Sequence, residues 1–400
     1  MTSNRNLILF SDEHWFNLLP LTFTRPVCEL RVGIMTLKEK WKYYLNGTCS
    51  DITQDYLSNK YPVRIEEDNL LINSTFLPNP SLLSHIEAMN LMDALFFDDE
   101  LVAARVDRST LEVLQATGEG FSDLRNIILN EDAILDLRRI TMPHHIFIEN
   151  GKEIIRDFDI ITKDKESHPI SPTNTILGTQ PIFVEEGVWM ESCILNATDG
   201  PIYIGKEAVV MENSVLRGPV SVGEHAVVKV GAKIYKDTTI GPNCKVGGEV
   251  QNTVFLANSN KGHDGYIGNS VIGEWCNLGA DTNTSNLKNN YLPVKVWSYT
   301  KKSFVNTGEQ FCGLIMGDHS KSGINTMFNT GTVVGVACNI FGDGFPRTFI
   351  PSFSWGGAAG FTTHQLEKAL ETAEVVMKRR GITLTENDRE ILTHLSKADY

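Results

Sequence analysis

Residues 204–250 read IGKEAVVMENSVLRGPVSVGEHAVVKVGAKIYKDTTIGPNCKVGGEV. Every sixth residue from Ile204 is aliphatic: Val210, Leu216, Val222, Val228, Ile234, Ile240 and Val246 follow in turn. Four residues after each comes a smaller or β-branched one: Ala208, Ser214, Val220, Ala226, Ala232, Thr238, Cys244 and Val250. A period of six is neither the 3.6 of a helix nor the 2 of a simple strand. It fits a triangular coil in which each hexapeptide forms one side and eighteen residues make a turn. The aliphatic residue then fills the interior, and the small one packs beside the corner. Glycines after the aliphatic position, such as Gly205, Gly223 and Gly241, suit tight corners where a side chain is a steric liability. The pattern predicts a left-handed parallel β-helix. An irregular sandwich rich in valine and glycine would not keep one spacing through eight consecutive positions.

The repeat resumes briefly at Ile272 and Leu278, then runs again through Met316, Ser322, Phe328, Val334 and Ile340. Two stretches break its phase, Val250–Ile267 and Asn283–Cys312, and such insertions are expected to leave a stacked coil as loops. The second, with LKNNYLPVKVWSYTKKSF, is apolar enough to pack on a surface. Upstream the character changes. Apolar runs at Leu7–Phe10, Leu70–Ile72, Ala94–Phe97 and Leu101–Ala104 read as buried strands. Amphipathic stretches at Arg31–Tyr44, Ser81–Met92 and Ser109–Ala116 read as helices, so an α/β layer domain is expected. The chain accordingly divides into an α/β domain over 1–165, a linker over 166–180, the β-helix over 181–345 and a helical tail over 346–400. In the tail Gly381 stops one helix, and Thr385 with Asp388 is placed to cap another.

Composition narrows the partners. Thirty-six basic and 49 acidic residues leave a net charge of −13 with no basic block, which argues against nucleic acid and against an anionic membrane surface. Leu7–Phe10 is far too short for a signal peptide or a spanning helix. Seven scattered cysteines lack zinc spacing, and free thiols in a reducing cytoplasm are expected.

Chemistry is expected in the first interruption. His263 lies in a glycine-flanked loop with Asp264 beside it and Tyr266 three residues on. Histidine titrates near neutrality, so such a residue can act as a general base toward an amine or hydroxyl attacking an acyl thioester. Glu249, one coil earlier, could orient the imidazole. A solvent-exposed loop histidine without a role is the other reading of the same residues.

The segment from about Val246 to Asn286 resembles the acetyltransferase domain of the bifunctional UDP-N-acetylglucosamine pyrophosphorylase/glucosamine-1-phosphate N-acetyltransferases. Their motif is Glu, then His fourteen residues on, Tyr three further, Asn eleven further and Ala three further. Glu249, His263, Tyr266, Asn277 and Ala280 stand at those spacings. The resemblance implies that His263 is the acetyl-transfer base and Glu249 its partner. Tyr266 and Asn277 would contact the sugar phosphate, and Ala280 and Asn286 would lie near acetyl-CoA. It also implies a homotrimer with active sites between adjacent coils. Lys229 could replace the family's phosphate-binding Arg. Gln251 and Ile324 depart from the pattern, falling where the family has a phosphate-binding Lys and a Ser near acetyl-CoA.

The family's Gly-rich pyrophosphorylase signature is missing. The chain instead has LPLTFTRPVCELRVGIMTLKEKW from Leu18, and its layout resembles an alternative bacterial family of sugar nucleotidyltransferases with an R-P-x-x-E-L-R-x-G segment. Arg25, Arg31 and Gly33 match that segment. Two arginines with a glycine could grip a nucleoside triphosphate through bidentate bonds, or could form a structural ion-pair cluster with Glu29. Asn73, Ser74 and Pro78 follow a strand, where an open α/β sheet binds its ligand. Mg2+ would be expected with nucleotidyl transfer, but no carboxylate stands out as its ligand.

Two other classes fit a β-helix. A trimeric metal hydratase of the γ-carbonic anhydrase type would need three neutral histidines together, and His225, His263 and His319 sit on separated coils. A non-catalytic sugar-nucleotide-sensing module would be consistent with the absent signature.

Overall fold

The computed structural model describes residues 5–117, 124–129 and 136–398. Two compact units divide them. One holds the chain up to Leu18, Arg25–Leu30 and the described part of Met35–Thr141; the other holds Leu19–Thr24, Arg31–Ile34 and Met142 onward.

The first unit is a six-stranded mixed sheet. Its spatial order is Gly47–Asp51, Arg5–Phe10, Asp68–Asn73, Glu100–Asp107, Asp93–Phe97 and Arg125–Leu129. Arg5–Phe10 pairs in parallel with both neighbours, whereas Glu100–Asp107 runs antiparallel to its own. Alternation sends Leu7 and Leu9 into one core and Ile8 into the other. Trp41 from helix Leu37–Leu45 covers the first face, and Leu111 and Leu114 from helix Arg108–Thr117 cover the second. The helix expected over Arg31–Tyr44 begins only at Leu37, where Thr36 and Glu39 form a capping box. Arg31–Ile34 belong to the other unit.

In the second unit the coil has three faces of parallel strands. Thr175–Gly178, Ile194–Ala197, Val215–Arg217 and Lys233–Ile234 make the first; Ile182–Val184, Ile202–Ile204, Val220–Val222 and Thr238–Ile240 make the second. Trp189–Met190, Val209–Val210, Val227–Val228, Lys245–Val246, Asn260–Lys261 and Asn277–Leu278 lie on the third. Register confirms the turn length: Val209 lies beside Val227, Val215 beside Lys233 and Val220 beside Thr238, each eighteen residues on. All eight aliphatic positions from Ile204 to Val246 are buried, as are the small residues four places after them. The coil continues through Phe349–Ile350 and Ser354–Gly357.

The corner glycines perform the steric task expected of them, and positive φ is not part of it. The left-handed residue at one edge is not glycine: Glu207, His225, Asn243 and Asn258 take φ near +55°. Gly223, two residues before such a corner, is required because a Cβ there would meet Pro242 N at 2.7 Å on the next coil. Close stacking of turns, not positive φ, selects it.

Helix Pro143–Ile161 packs along the second face, so the second unit begins before residue 166, and Thr175–Gly178 in the segment expected as linker is already a coil strand. Arg31–Ile34 is held here too. Gly33 N donates to Asn150 Oδ1 (2.8 Å) and Ile34 N to Asp157 Oδ2 (2.8 Å), while Thr239 Oγ1 donates to the Gly33 carbonyl (2.9 Å). The long insertion forms a hairpin, Lys295–Ser298 with Ser303–Asn306, whose Trp297 stacks on Phe349 at 4.2 Å. Helices Leu366–Lys378 and Glu386–Lys397 end the chain, the latter capped by Thr385 and Asp388. Among the described residues no helix is long and apolar enough to cross a membrane.

Candidate active site

The stretch Val250–Ile267, expected as a looped-out interruption, is a shortened coil. Lys233 lies beside Glu249, sixteen residues on; Lys245 beside Asn260, fifteen on; and Glu249 beside Tyr266, seventeen on. The omitted residues come partly from the edge between the third and first faces. There Lys229–Ala232 makes a four-residue corner, but the next coil has only Gly247 and Gly248. Gly248 has no room for a side chain, since a Cβ would stand 2.6 Å from Gly265 O and 3.0 Å from His263 O. His263 and Asp264 form the corner above, both exposed, followed by Ala280–Asp281 and then Ile324–Asn325.

This edge collects the sequence-identified residues. Lys229, His263 and Ala280 stand along it; Glu249 and Tyr266 are neighbours on the first face; Asn277 is exposed on the third. The imidazole of His263 makes no hydrogen bond or ion pair among the described residues, and none joins it to Glu249. Tyr266 is more constrained. Its hydroxyl accepts from Asn286 Nδ2 (2.9 Å) and approaches Gln251 Oε1 (3.4 Å), and its backbone N–H donates to Asn283 Oδ1 (2.8 Å). Burial pushes the phenol's pKa up; the Asn286 bond opposes this and the charge of Glu249 adds to it. Asn286 also donates to Asn269 Oδ1 at 2.8 Å, tying the start of the long insertion to this patch.

Cations gather on the third face, between this edge and the next, in a chain that is acidic as a whole. Lys245 is held below the ordinary lysine range by desolvation first, then by Arg380, Lys229 and Arg379. Arg380 arrives from the carboxy-terminal helices, donating to the Asn243 carbonyl and, at 2.8 Å, to Asn260 Oδ1. Sequence reading missed Lys245 and Arg380. The hexapeptide phase marks Lys245 as outward, next to interior Val246, but nothing local to Arg380 announces where its helix docks.

The histidines of a metal hydratase do not assemble. His225 pairs with Glu207 (3.3 Å) and Glu224 (3.5 Å), His319 stacks on Trp275, and His263 lies on another edge. Among the described residues no metal-competent cluster includes any of them. All seven cysteines are free thiols, six of them buried.

In the first unit, Asn73 and Ser74 are used as braces. Asn73 Nδ2 donates to Asp12 Oδ2 (2.8 Å) and Ser74 Oγ to the Phe10 carbonyl (2.9 Å). A cleft of about 490 Å³ opens at the strand ends, lined by Phe10, Asp51, Thr53, Tyr61 and Leu111. Asp12, His14 and Glu100 converge close by, an oxygen-rich set of the kind that divalent cations use. Arg139 already pairs with Glu100 and lies 3.9 Å from Asp12, holding the Glu100 carboxyl below its usual range. As arranged, the cluster is satisfied by a guanidinium and does not fit Mg2+. Arg25 is buried in this unit. Glu29 pairs with Lys38 (2.9 Å), which also reaches Asp51 (2.6 Å). Arg31 is elsewhere: in the second unit its Nε donates to the Leu256 carbonyl (3.2 Å) and its Nη1 to that of Ile34.

Residues 7–166 match the family model described as sugar nucleotidyl transferase. Over 288 residues the chain is 32% identical to the bifunctional protein GlmU of Methanococcus vannielii, covering 68% of this chain and 60% of that one. It is 39% identical over 90 residues to the GlmU of Methanocaldococcus jannaschii, covering 22% of this chain and 21% of that one. It is also 33% identical over 93 residues to a bifunctional sugar-1-phosphate nucleotidylyltransferase/acetyltransferase of Sulfurisphaera tokodaii, 23% of each. The chain thus spans from about a fifth to three fifths of the curated relatives it matches. These three are archaeal, where the sequence resemblance named a bacterial family. Among solved structures, UDP-N-acetylglucosamine acyltransferase from Campylobacter jejuni aligns with a TM-score of 0.31 and 14% identity, over 58% of this chain and 97% of that one.

Proposed function

We propose that this relative of the bifunctional sugar-1-phosphate nucleotidylyltransferase/acetyltransferases transfers an acetyl group from acetyl-CoA to the amine of an amino-sugar phosphate at the edge marked by His263. The observation that carries the reading is convergence: Lys229, Glu249, His263, Tyr266, Asn277 and Ala280 surround one edge of the coil. In this reading His263 takes the proton as the amine attacks the thioester carbonyl. A C–N bond forms, the C–S bond breaks, and the thiolate of CoA leaves. Glu249 stabilises the imidazolium that forms. Lys229, with Lys245 near it on the third face, faces the phosphate. Tyr266 and Asn277 hold the sugar, and Ala280 and Asn286 border the acetyl-CoA path.

A prism edge is convex, so these side chains cannot enclose a ligand by themselves. We infer that a second and third copy complete the cleft, giving a homotrimer of about three times the 44.6 kDa chain mass. For the first unit the proposal is nucleotidyl transfer from a nucleoside triphosphate to a sugar-1-phosphate. The family match over residues 7–166 and the cleft at the strand ends support it. Thiol release from acetyl-CoA, measured across a panel of amino-sugar phosphates, tests the main claim. Release with at least one acceptor is expected. No release with any of them, from a trimer that binds acetyl-CoA, would overturn it.

A further inference from the structure

One interior position of the coil is occupied by a charge. Val210, Val228 and Val246 fill successive turns of the third face, and Leu278 and Ile340 fill later ones. Between Val246 and Leu278 the residue is Lys261, paired in register with Val246 and wholly buried. Its four methylenes take the place of the aliphatic side chain. Its ammonium turns back on its own strand end, and Nζ donates to the carbonyls of His263 (2.8 Å) and Asp264 (3.0 Å). Burial draws its pKa down to about 8, against the pull of Asp264 and Asp281.

Those two carbonyls belong to the corner that carries the exposed imidazole. The turn beneath supplies only Gly247 and Gly248, so no side chain from that coil props the His263 corner. The Asp264 carbonyl also receives Asp281 N at 3.1 Å, whereas the hydrogen-bond donor to the His263 carbonyl is Lys261. A lysine costs more to bury than a leucine, and the fold places it where its hydrogen bonds fix the turn bearing His263.

We propose that Lys261 is a positioning residue for His263, holding the His263–Asp264 turn from inside the coil. The proposal rests on reading His263 as the acetyl-transfer base. Lys261→Met keeps the apolar stem and removes the donors. It is expected to leave a folded trimer whose melting temperature is no lower than that of the parent. The kcat of acetyl transfer should fall at least tenfold, with the KM for acetyl-CoA within twofold. Amide hydrogen exchange at Asp281 and Glu249, whose N–H groups donate to the Asp264 and Gly265 carbonyls at 3.1 Å, should accelerate about tenfold or more. A lysine needed only for packing would lower the melting temperature and leave the kcat of the folded fraction intact.

His263→Ala is assayed alongside. If it retains full activity, the base reading fails, while the exchange measurement still decides whether Lys261 holds the turn. If His263→Ala is inactive but Lys261→Met has parental kcat and exchange, the proposal is overturned and the base reading stands. Lys261→Leu serves should the methionine variant not fold. Failure of both to fold would make Lys261 a structural member of the coil and would likewise overturn the positioning role.

Discussion

The coils from Val209 to Val246 and those from Gly247 to Thr284 are built from the same hexapeptide, yet only the second set leaves its register. In the first set, neighbouring strands lie eighteen residues apart on every face and the interior is aliphatic. In the second the spacing is fifteen to seventeen, a corner shrinks to two glycines, and an ammonium enters the interior. Regular coils bury area and stack. Irregular ones leave an edge on which polar side chains from both adjoining faces can converge. The fold resides in the repeat and the proposed site in its departures, a division that substitutions can test.

The largest effect is expected where the regular set is broken. Ile240 is wholly buried. Ile240→Asp would put a carboxylate among aliphatic side chains with no designed partner, a change that costs on the order of 4 kcal/mol or more. Loss of the cooperative thermal transition, followed by circular dichroism, is the expected result. Lys261 survives the same interior because its chain is long enough for Nζ to reach two carbonyls. A folded Ile240→Asp protein would show that the regular coils are less tightly packed than their register implies.

Substitutions in the irregular set should act on turnover. His263→Ala is expected to lower kcat roughly 10²–10⁴-fold, the usual contribution of a positioned base. Glu249→Gln should cost less, because it removes only the charge facing the imidazolium. Both melting temperatures should stay within about two degrees of the parent, since neither side chain fills the interior. Steady-state thiol release and calorimetry on the same samples measure the two halves of this expectation.

The buried lysine gives the irregular set a pH signature. Its native pKa, about 8, lies below the 10.5 of a free lysine. Between those values the unfolded chain keeps the proton that the native chain has given up, so stability rises with pH across that window. Below pH 8 the burial cost is present in full. A shift of this size corresponds to no more than about 4 kcal/mol. Denaturant melts of the parent minus those of Lys261→Met should therefore become more favourable from pH 8 to pH 10.5. A flat difference would mean that the ammonium is as well solvated in the coil as in water.

How much of this was legible follows the same division. Ile204, Val210 and their successors announce the coil because sixfold spacing leaves few alternatives. The Glu249, His263, Tyr266, Asn277 and Ala280 spacing names residues that the fold sets around one edge. Lys261 was passed over because a lysine between asparagine and glycine reads as surface; only register shows that it takes the place of Val246. The true start of the second unit was hidden for a related reason. Helix Pro143–Ile161 has ordinary amphipathic character, and sequence does not say which sheet its apolar side covers. Arg31 and Gly33 read equally as nucleotide ligands or as structural residues, because charge and glycine are at home in both settings.

Arg31 therefore offers the smallest effect and the sharpest choice between settings. A triphosphate ligand would be lost on Arg31→Ala while folding stayed intact, because a solvent-facing guanidinium contributes little to stability. In the second unit, however, its donors reach the carbonyls of Leu256 and Ile34, and Gly33 beside it is enclosed by the helix that carries Asn150 and Asp157. Removing the guanidinium leaves those carbonyls short of a donor, at a cost of about 1–2 kcal/mol. The expected outcome is a melting temperature lower by a few degrees, with affinity for a nucleoside triphosphate changed less than twofold in a binding titration. The reverse pattern, unchanged melting and lost nucleotide, would return Arg31 to phosphate recognition.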